Sequence, residues 1–167
     1  MTAHSGAAPL FAALLLTSVT PWTQAADTHP FSAHDMVTME RLGAPVPSPD
    51  GRWVVFTRRS WDEASNTTST HLWLAAIDGG TVRALTSAPH VSDSSPCWSP
   101  DGRWVAFLSS RGESSQIWAI AIDGGEPMQV SSFPVDVDNL EWSPDGTRFA
   151  FSAEVYPDCV DLTCTAG

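Results

Sequence analysis

The sequence contains no lysine: all eight of its cations are arginine, against nineteen aspartate and glutamate residues, and the net charge is −11. A chain so poor in positive charge argues against nucleic acid or an anionic membrane surface as a partner, because both select basic proteins. Cysteine is also scarce, and three residues cannot build a disulfide-rich scaffold. Charged residues make up only 16% of the chain and hydrophobic residues 43%, which excludes intrinsic disorder. We therefore expect a folded chain of about one domain.

Long hydrophobic runs are absent. The longest nearly apolar segment, Leu10–Val19, is half the length of about 20 residues that a membrane-spanning helix needs. Small residues follow it, with Thr23 and Ala25 at the positions that signal peptidase reads. We predict that residues 1–25 are a signal peptide, with cleavage after Ala26 as the alternative, and that the mature chain is periplasmic or secreted without a membrane span. The lack of Lys or Arg before the apolar segment favours the opposite reading, a misplaced start in front of a cytosolic protein.

Residues 26–43 are predicted to be a linker and a short helix. Ser32 is a good N-cap, and Asp35 lies three residues further on, as in a capping box. Gly43 is placed to end the helix in the left-handed conformation. An apolar stripe at helical spacing lies between them: Met36, Met39 and Leu42.

Two elements repeat along the rest of the chain. Ser-Pro-Asp-Gly begins at Ser48, Ser99 and Ser143, after spacings of 51 and 44 residues, and a Trp-containing strand ending in Asp-Gly-Gly recurs after 45 residues. A period of about 40–50 residues with several short strands is typical of β-propeller blades. We predict an all-β fold, a partial propeller of about two and a half four-stranded blades, with blades at 44–88, 89–132 and an incomplete one at 133–167. Since propellers close with about four to eight blades, we expect the chain to be the N-terminal part of a longer protein.

The repeated acidic residues are predicted to shape turns. In Ser-Pro-Asp-Gly, proline and aspartate suit the centre of a type I turn and glycine supplies a positive φ. In the Asp-Gly hairpins both central residues are expected at positive φ. No turn has the dense acidic loop of a calcium site, so we predict no metal and no cofactor. The turn residues are Asp50, Gly51, Asp78, Gly79, Asp101, Gly102, Asp123, Gly124, Asp145 and Gly146.

The strands between the turns are predicted to be covered on both faces. Trp104–Leu108 is apolar at every position, as expected for a strand between two neighbouring blades. Six of the eight tryptophans keep a strict register with the repeat, which favours blade packing over platforms for stacking sugars or bases: Trp53, Trp73, Trp98, Trp104, Trp118 and Trp142.

Several of these features together resemble the prolyl oligopeptidase family of serine peptidases. They are Asp35-Met36-Val37, the run Leu42–Pro47 into the first repeat, the paired Trp-Ser-Pro-Asp-Gly and Asp-Gly-Gly elements, and Ser152–Cys159 followed by Cys164. The resemblance covers about Phe31 to Ala166 and is strongest to the acylaminoacyl-peptidase and dipeptidyl-aminopeptidase-like branch. It implies a propeller that caps an α/β-hydrolase domain of the same polypeptide and limits the access of peptide substrates.

No catalytic residue can be assigned within the chain. The family's nucleophile lies in a Gly-x-Ser-x-Gly elbow, and the nearest string here, Gly112–Gln116, lacks the second glycine. We therefore expect the chain to be inactive alone. The alternative is a non-catalytic TolB-like propeller that binds protein partners in the periplasm.

The three cysteines are predicted to play two roles. Cys159 and Cys164 flank a four-residue loop, and export would allow them to form a disulfide. The other readings of this pair are a metal site and two unrelated thiols. Cys97 precedes Trp98 in an apolar context and is expected to be a buried free thiol.

Overall fold

The computed structural model of the chain describes residues 29–166, so the predicted signal peptide lies outside the described residues. The compact unit begins at Ser32, and residues 29–31 belong to a separate unit. The compact unit is almost entirely β-structure, with strands β1 Arg41–Leu42, β2 Val46–Pro47, β3 Trp53–Asp62, β4 Thr67–Ala76, β5 Val82–Ala84, β6 Asp93–Trp98, β7 Trp104–Ser109, β8 Gln116–Ala121, β9 Met128–Gln129, β10 Asp138–Trp142 and β11 Phe149–Ser152. Two short helices flank them, α1 Ala33–Thr38 and α2 Leu162–Ala166. No helix between residues 29 and 166 is long and apolar enough to cross a membrane.

The strands form three antiparallel sheets in chain order. The first has the order β1-β3-β4-β5, with β2 pairing along the same edge of β3 as β1. The second is β6-β7-β8-β9 and the third is β10-β11. In each sheet a Ser-Pro-Asp-Gly turn joins an edge strand to its neighbour, β2 to β3, β6 to β7 and β10 to β11, so the sequence repeat is also the structural repeat. The predicted fold class, an all-β partial propeller, is confirmed.

Two apolar layers join the three sheets. Val105 and Phe107 of β7 belong to the cluster between the first and second sheets, whereas Ala106 and Leu108 belong to the cluster between the second and third. Because alternate side chains of a strand point to opposite faces, β7 is buried on both sides. This confirms the expectation for the apolar run at 104–108. Strand β11, in contrast, is largely exposed.

The predicted helix is shorter than the pattern indicated. The capping box is present: the Ser32 hydroxyl accepts a hydrogen bond from the Asp35 amide, and the Asp35 carboxylate accepts one from the Ser32 amide. Beyond Thr38, however, Arg41 and Leu42 form β1 and pair with β3. The prediction that Leu42 continues the helix and Gly43 ends it is wrong, because pairing with a distant strand outweighs the local helical spacing.

Gly43 is required for a different reason. Its amide donates to the Thr57 carbonyl at 2.8 Å, and a Cβ at this position would collide with the Thr57 side chain. The glycine therefore lets the segment between β1 and β2 lie directly against β3.

The first sheet has a longer hairpin than the second. Strands β3 and β4 each have ten residues, and β7 and β8 each have six. When the two hairpins are aligned by their sequence repeat, each strand of the first has four extra residues at the end that leads into the hairpin loop. At about 3.3 Å per residue they lengthen the first hairpin by about 13 Å. We call Arg59–Thr70 the ribbon. It projects from the end of the sheets at which β7 ends and β8 begins, which we call the loop end; the Ser-Pro-Asp-Gly turns lie at the opposite, turn end.

Candidate functional site

The turn end is built from one hydrogen-bonding unit used three times. In the second copy the Gly102 amide donates to the Ser99 carbonyl at 2.9 Å, which closes the turn. The Ser99 hydroxyl accepts from the Trp104 amide at 2.9 Å and donates to Asp101 at 2.6 Å. Asp101 also accepts from the Arg103 amide and side chain, at 3.1 and 2.7 Å. Serine and aspartate therefore bind the start of the next strand.

The same unit recurs in the other two turns. Ser48 and Ser143 hold their aspartates at 2.6 Å, and the three turn glycines have φ values of 68°, 69° and 73°. Donors from within each turn, first the serine hydroxyl, lower the pKa of the carboxyl from 3.8 to about 2 in the three turn aspartates: Asp50, Asp101 and Asp145. Their oxygens are occupied by the turn itself, so the structure gives these residues a structural role.

The Asp-Gly hairpins differ from the predicted geometry. Gly79 and Gly124 have φ values of 81° and 100°, but Asp78 and Asp123 are not at positive φ. The expectation that both central residues adopt positive φ is wrong. The connections are longer than two residues, and Asp78 instead accepts a hydrogen bond from the Gly80 amide at 2.9 Å, so glycine alone reverses the chain.

A buried polar network joins the first two sheets near the loop end. Asp93 is fully buried and accepts hydrogen bonds from the Ser109 hydroxyl at 2.7 Å and from the Arg111 guanidinium at 3.0 and 3.2 Å. His71 of β4 also lies near the carboxylate, with Nδ1 3.9 Å from Oδ2. An ion pair with several hydrogen bonds compensates the desolvation of a buried carboxylate.

This serine, histidine and aspartate set is not a catalytic triad. The Ser109 hydroxyl donates to the carboxylate and not to the imidazole, and both Ser109 and Asp93 have no exposed surface. A triad needs the serine beside the histidine and open to substrate. Sequence reasoning missed the network because its members lie on three separate strands and loops.

A cavity of about 850 Å³ opens at the loop end, next to the third sheet. Its walls come from the β7–β8 loop, the segment before β10 and the segment after β11. Four of its lining residues are acidic: Glu113, Asp136, Asp138 and Glu154. Asp136 is held by the Ser115 amide at 2.6 Å. The sequence analysis missed this site because its carboxylates are scattered over three segments and form no local motif.

The segment that carries the cysteines forms one wall of this acidic cavity. The structure contains a disulfide between Cys159 and Cys164, with Cα atoms 5.5 Å apart. On either side of the disulfide loop, Tyr156 and Thr165 line the cavity, and the Tyr156 amide donates to the Thr165 hydroxyl at 3.4 Å. The cross-link therefore closes the loop that shapes this wall.

Cys97 is a free, half-buried thiol. Burial, and then the charge of Glu141, raise the pKa of this thiol to about 12, so it is unreactive at neutral pH. No group of three or more His, Cys, Asp or Glu side chains in residues 29–166 is arranged to hold a metal ion.

The architecture defines the class of protein. A family model described as "TolB beta propeller domain" matches residues 33–157, most of the chain. The chain therefore belongs to the TolB-type β-propeller family.

The relatives are peptidases and a TolB-like protein. The chain is 28% identical to dipeptidyl-peptidase 5 of Porphyromonas endodontalis over 155 residues. This aligned region covers 93% of this chain and 22% of that protein. It is 29% identical to the structure of a putative TolB from Agrobacterium tumefaciens, with a TM-score of 0.53, over 69% of this chain and 39% of the other. The Pyrococcus horikoshii acylaminoacyl peptidase, 18% identical with a TM-score of 0.55, shares the fold over 75% of this chain and 20% of its own.

These matches confirm the resemblance to the prolyl oligopeptidase family over its propeller region. The chain spans about a fifth of the length of the peptidases it matches.

Proposed function

We propose that this chain is the propeller part of an exported serine peptidase and that it limits the access of peptides to a hydrolase domain in the same polypeptide. The observation that carries the proposal is the match to dipeptidyl-peptidase 5, which extends over 93% of this chain. A match of 155 of the 167 residues necessarily includes the leading helix as well as the repeats.

The loop end is the surface that we assign to peptides. Its cavity, of about 850 Å³, is large enough for part of a peptide but excludes a folded domain. Its four carboxylates create a negative potential that favours a cationic group, such as the ammonium of a free amino terminus. The turn end contributes packing, since its polar groups are occupied by its own hydrogen bonds.

The chemistry itself is assigned to residues outside this chain. A serine peptidase needs a nucleophile, a base and an oxyanion hole within hydrogen-bond reach of one substrate carbonyl. The serine, histidine and aspartate set at Asp93 is closed to solvent and wrongly ordered for that task. In a second, exposed set, the Ser65 hydroxyl donates to Asp62, while His90 contacts Thr67 and not the serine.

A serine-reactive fluorophosphonate probe tests the proposal. We expect the native polypeptide that begins with this chain, captured by an antibody to residues 29–166, to be labelled, and the 167-residue chain to remain unlabelled. Heat-denatured native protein is the control for non-specific reaction. An unlabelled, folded native protein would contradict the proposal.

The second candidate is a non-catalytic propeller that binds proteins. The similarity to a TolB-like structure at 29% identity favours it. For this candidate the native protein stays unlabelled by the probe and instead co-purifies with a stoichiometric protein partner after cross-linking.

Export is part of the proposal and has its own test. We expect the amino terminus of the mature native protein to be Ala26, or Asp27 if cleavage follows Ala26. A mature protein that retains Met1 would contradict export by this route.

A further inference from the structure

A second, smaller cavity lies between α1 and the ribbon. Its volume is about 210 Å³, below the roughly 300–1,000 Å³ of pockets for drug-sized ligands and suited to one amino-acid-sized group. Met36 and Met39 line it from the α1 side, Trp61 lines it from the ribbon, and Arg41 and Arg59 lie between them. We call this site the arginine groove.

The two arginines face each other without neutralisation. Arg41 and Arg59 are direct partners in the β1–β3 register, so their side chains share one face of the sheet. Like charges directly opposite each other are destabilising. Among residues 29–166 no carboxylate lies within ion-pair distance of either guanidinium, and Arg59 contacts the Thr68 hydroxyl at 3.5 Å.

The other arginines of the first two sheets each have a hydrogen-bonding partner that carries a negative charge or a carbonyl oxygen. Arg83 has no carboxylate partner among the described residues, but it donates to the Ile122 carbonyl. Arg58, next to Arg59 on β3, forms an ion pair with Glu40, and Arg111 forms one with Asp93. The chain has nineteen acidic residues for eight arginines, so acidic partners are plentiful. Arg41 and Arg59 are distinguished because they lie directly opposite each other and have neither a carboxylate nor a carbonyl acceptor among the described residues. This pairing of like charges indicates a site whose negative charge comes from a ligand.

The walls of the arginine groove specify the rest of the ligand. Met36 and Met39 are 52% and 53% exposed, although apolar side chains gain by burial. The Trp61 indole lies half-buried on the ribbon, with its N–H directed to Asn66 at 3.3 Å. Thioether side chains adapt to varied apolar groups and make favourable contacts with aromatic rings.

We propose that the arginine groove binds the carboxylate of a single apolar residue, such as the carboxy-terminal residue of a peptide. Guanidinium groups bind carboxylates through paired, charge-assisted hydrogen bonds. The methionines and Trp61 enclose the apolar side chain. The proposal rests on this groove alone and is independent of any catalytic domain.

A matched pair of small molecules tests the proposal on the full chain. N-acetyl-leucine carries the carboxylate, and N-acetyl-leucinamide has the same shape without the charge. Binding is followed by NMR through the Trp indole N–H signals. We expect saturable shifts centred on the Trp61 signal with the acid, and binding at least about tenfold weaker with the amide, the factor expected when a charged hydrogen bond is lost.

Variants locate the site. Arg41→Gln and Arg59→Gln are each expected to weaken binding of N-acetyl-leucine by about tenfold or more. Arg148→Gln is the control: Arg148 is exposed and also has no carboxylate partner among the described residues, but it lies outside the groove. Indole spectra without ligand show whether each variant is folded.

Three results would overturn the proposal. They are equal affinity for N-acetyl-leucine and N-acetyl-leucinamide, no saturable binding of N-acetyl-leucine, or undiminished binding of N-acetyl-leucine by a folded variant that carries both Arg41→Gln and Arg59→Gln. The first two need no variant, so the proposal stays testable even if the substitutions prevent folding.

Discussion

Replacing Phe107 with alanine should destabilise the chain far more than the same change at Phe151. Phe107 is fully buried in the layer between the first two sheets, and the Arg111 guanidinium lies 5.5 Å from its ring centre. Phe151 is 38% exposed, and its main aromatic contact is Phe133 at 5.1 Å. Truncation of a buried phenylalanine costs about 3–5 kcal/mol, whereas loss of one aromatic pair costs about 1 kcal/mol.

Thermal and urea unfolding followed by near-UV circular dichroism measure the difference. For a unit of this size we expect Phe107→Ala to lower the melting temperature by more than about 10 °C and Phe151→Ala by about 3 °C. If Phe107→Ala does not fold, Ile120→Val and Ile77→Val repeat the comparison, because Ile120 is fully buried and Ile77 is 56% exposed. Equal losses at the buried and exposed positions would refute the stacked arrangement of the sheets.

Four further predictions follow from the same structure. The three turn aspartates have a lower pKa in the folded chain than in the unfolded chain, so the stability that they contribute above about pH 4 should be lost between about pH 4 and pH 2. The melting temperature should therefore fall with pH in this range, and Asp101→Asn should make the fall less steep. An unchanged slope in the variant would count against the turn hydrogen bonds. Thiol labelling of the denatured, unreduced chain should find one free cysteine, Cys97, and three only after reduction; three before reduction would exclude the Cys159–Cys164 disulfide. The purified chain should hydrolyse no peptide ester, and turnover that a serine-directed inhibitor abolishes would show that a catalytic set was overlooked. Because β11 is exposed, melting should depend on protein concentration, and a concentration-independent monomer transition would be unexpected.

The repeat and its turns could be predicted from the sequence because their causes are local. Pro, Asp and Gly each suit one turn position, and the three copies place Gly51, Gly102 and Gly146 at positive φ. The capping box at Ser32 is equally local, since both of its hydrogen bonds lie within three residues. Alignment of the copies then indicated blades without any knowledge of contacts.

The remaining features depend on contacts between distant segments. Leu42 lies in a helical pattern but forms a strand, because β3 supplies backbone partners that sequence spacing does not show. Asp93 is one acidic residue among nineteen, and its burial follows from Arg111 lying opposite it in the fold. The acidic cavity and the arginine groove each combine segments far apart in sequence, so neither leaves a motif to find.

The coding sequence that continues beyond codon 167 in the native gene tests the central claim most directly. If the chain is the propeller part of a serine peptidase, the reading frame should encode further blades and then a Gly-x-Ser-x-Gly elbow, followed in order by an aspartate and a histidine. A frame that ends after further blades, without such an elbow, would contradict the peptidase assignment and leave the protein-binding propeller as the function.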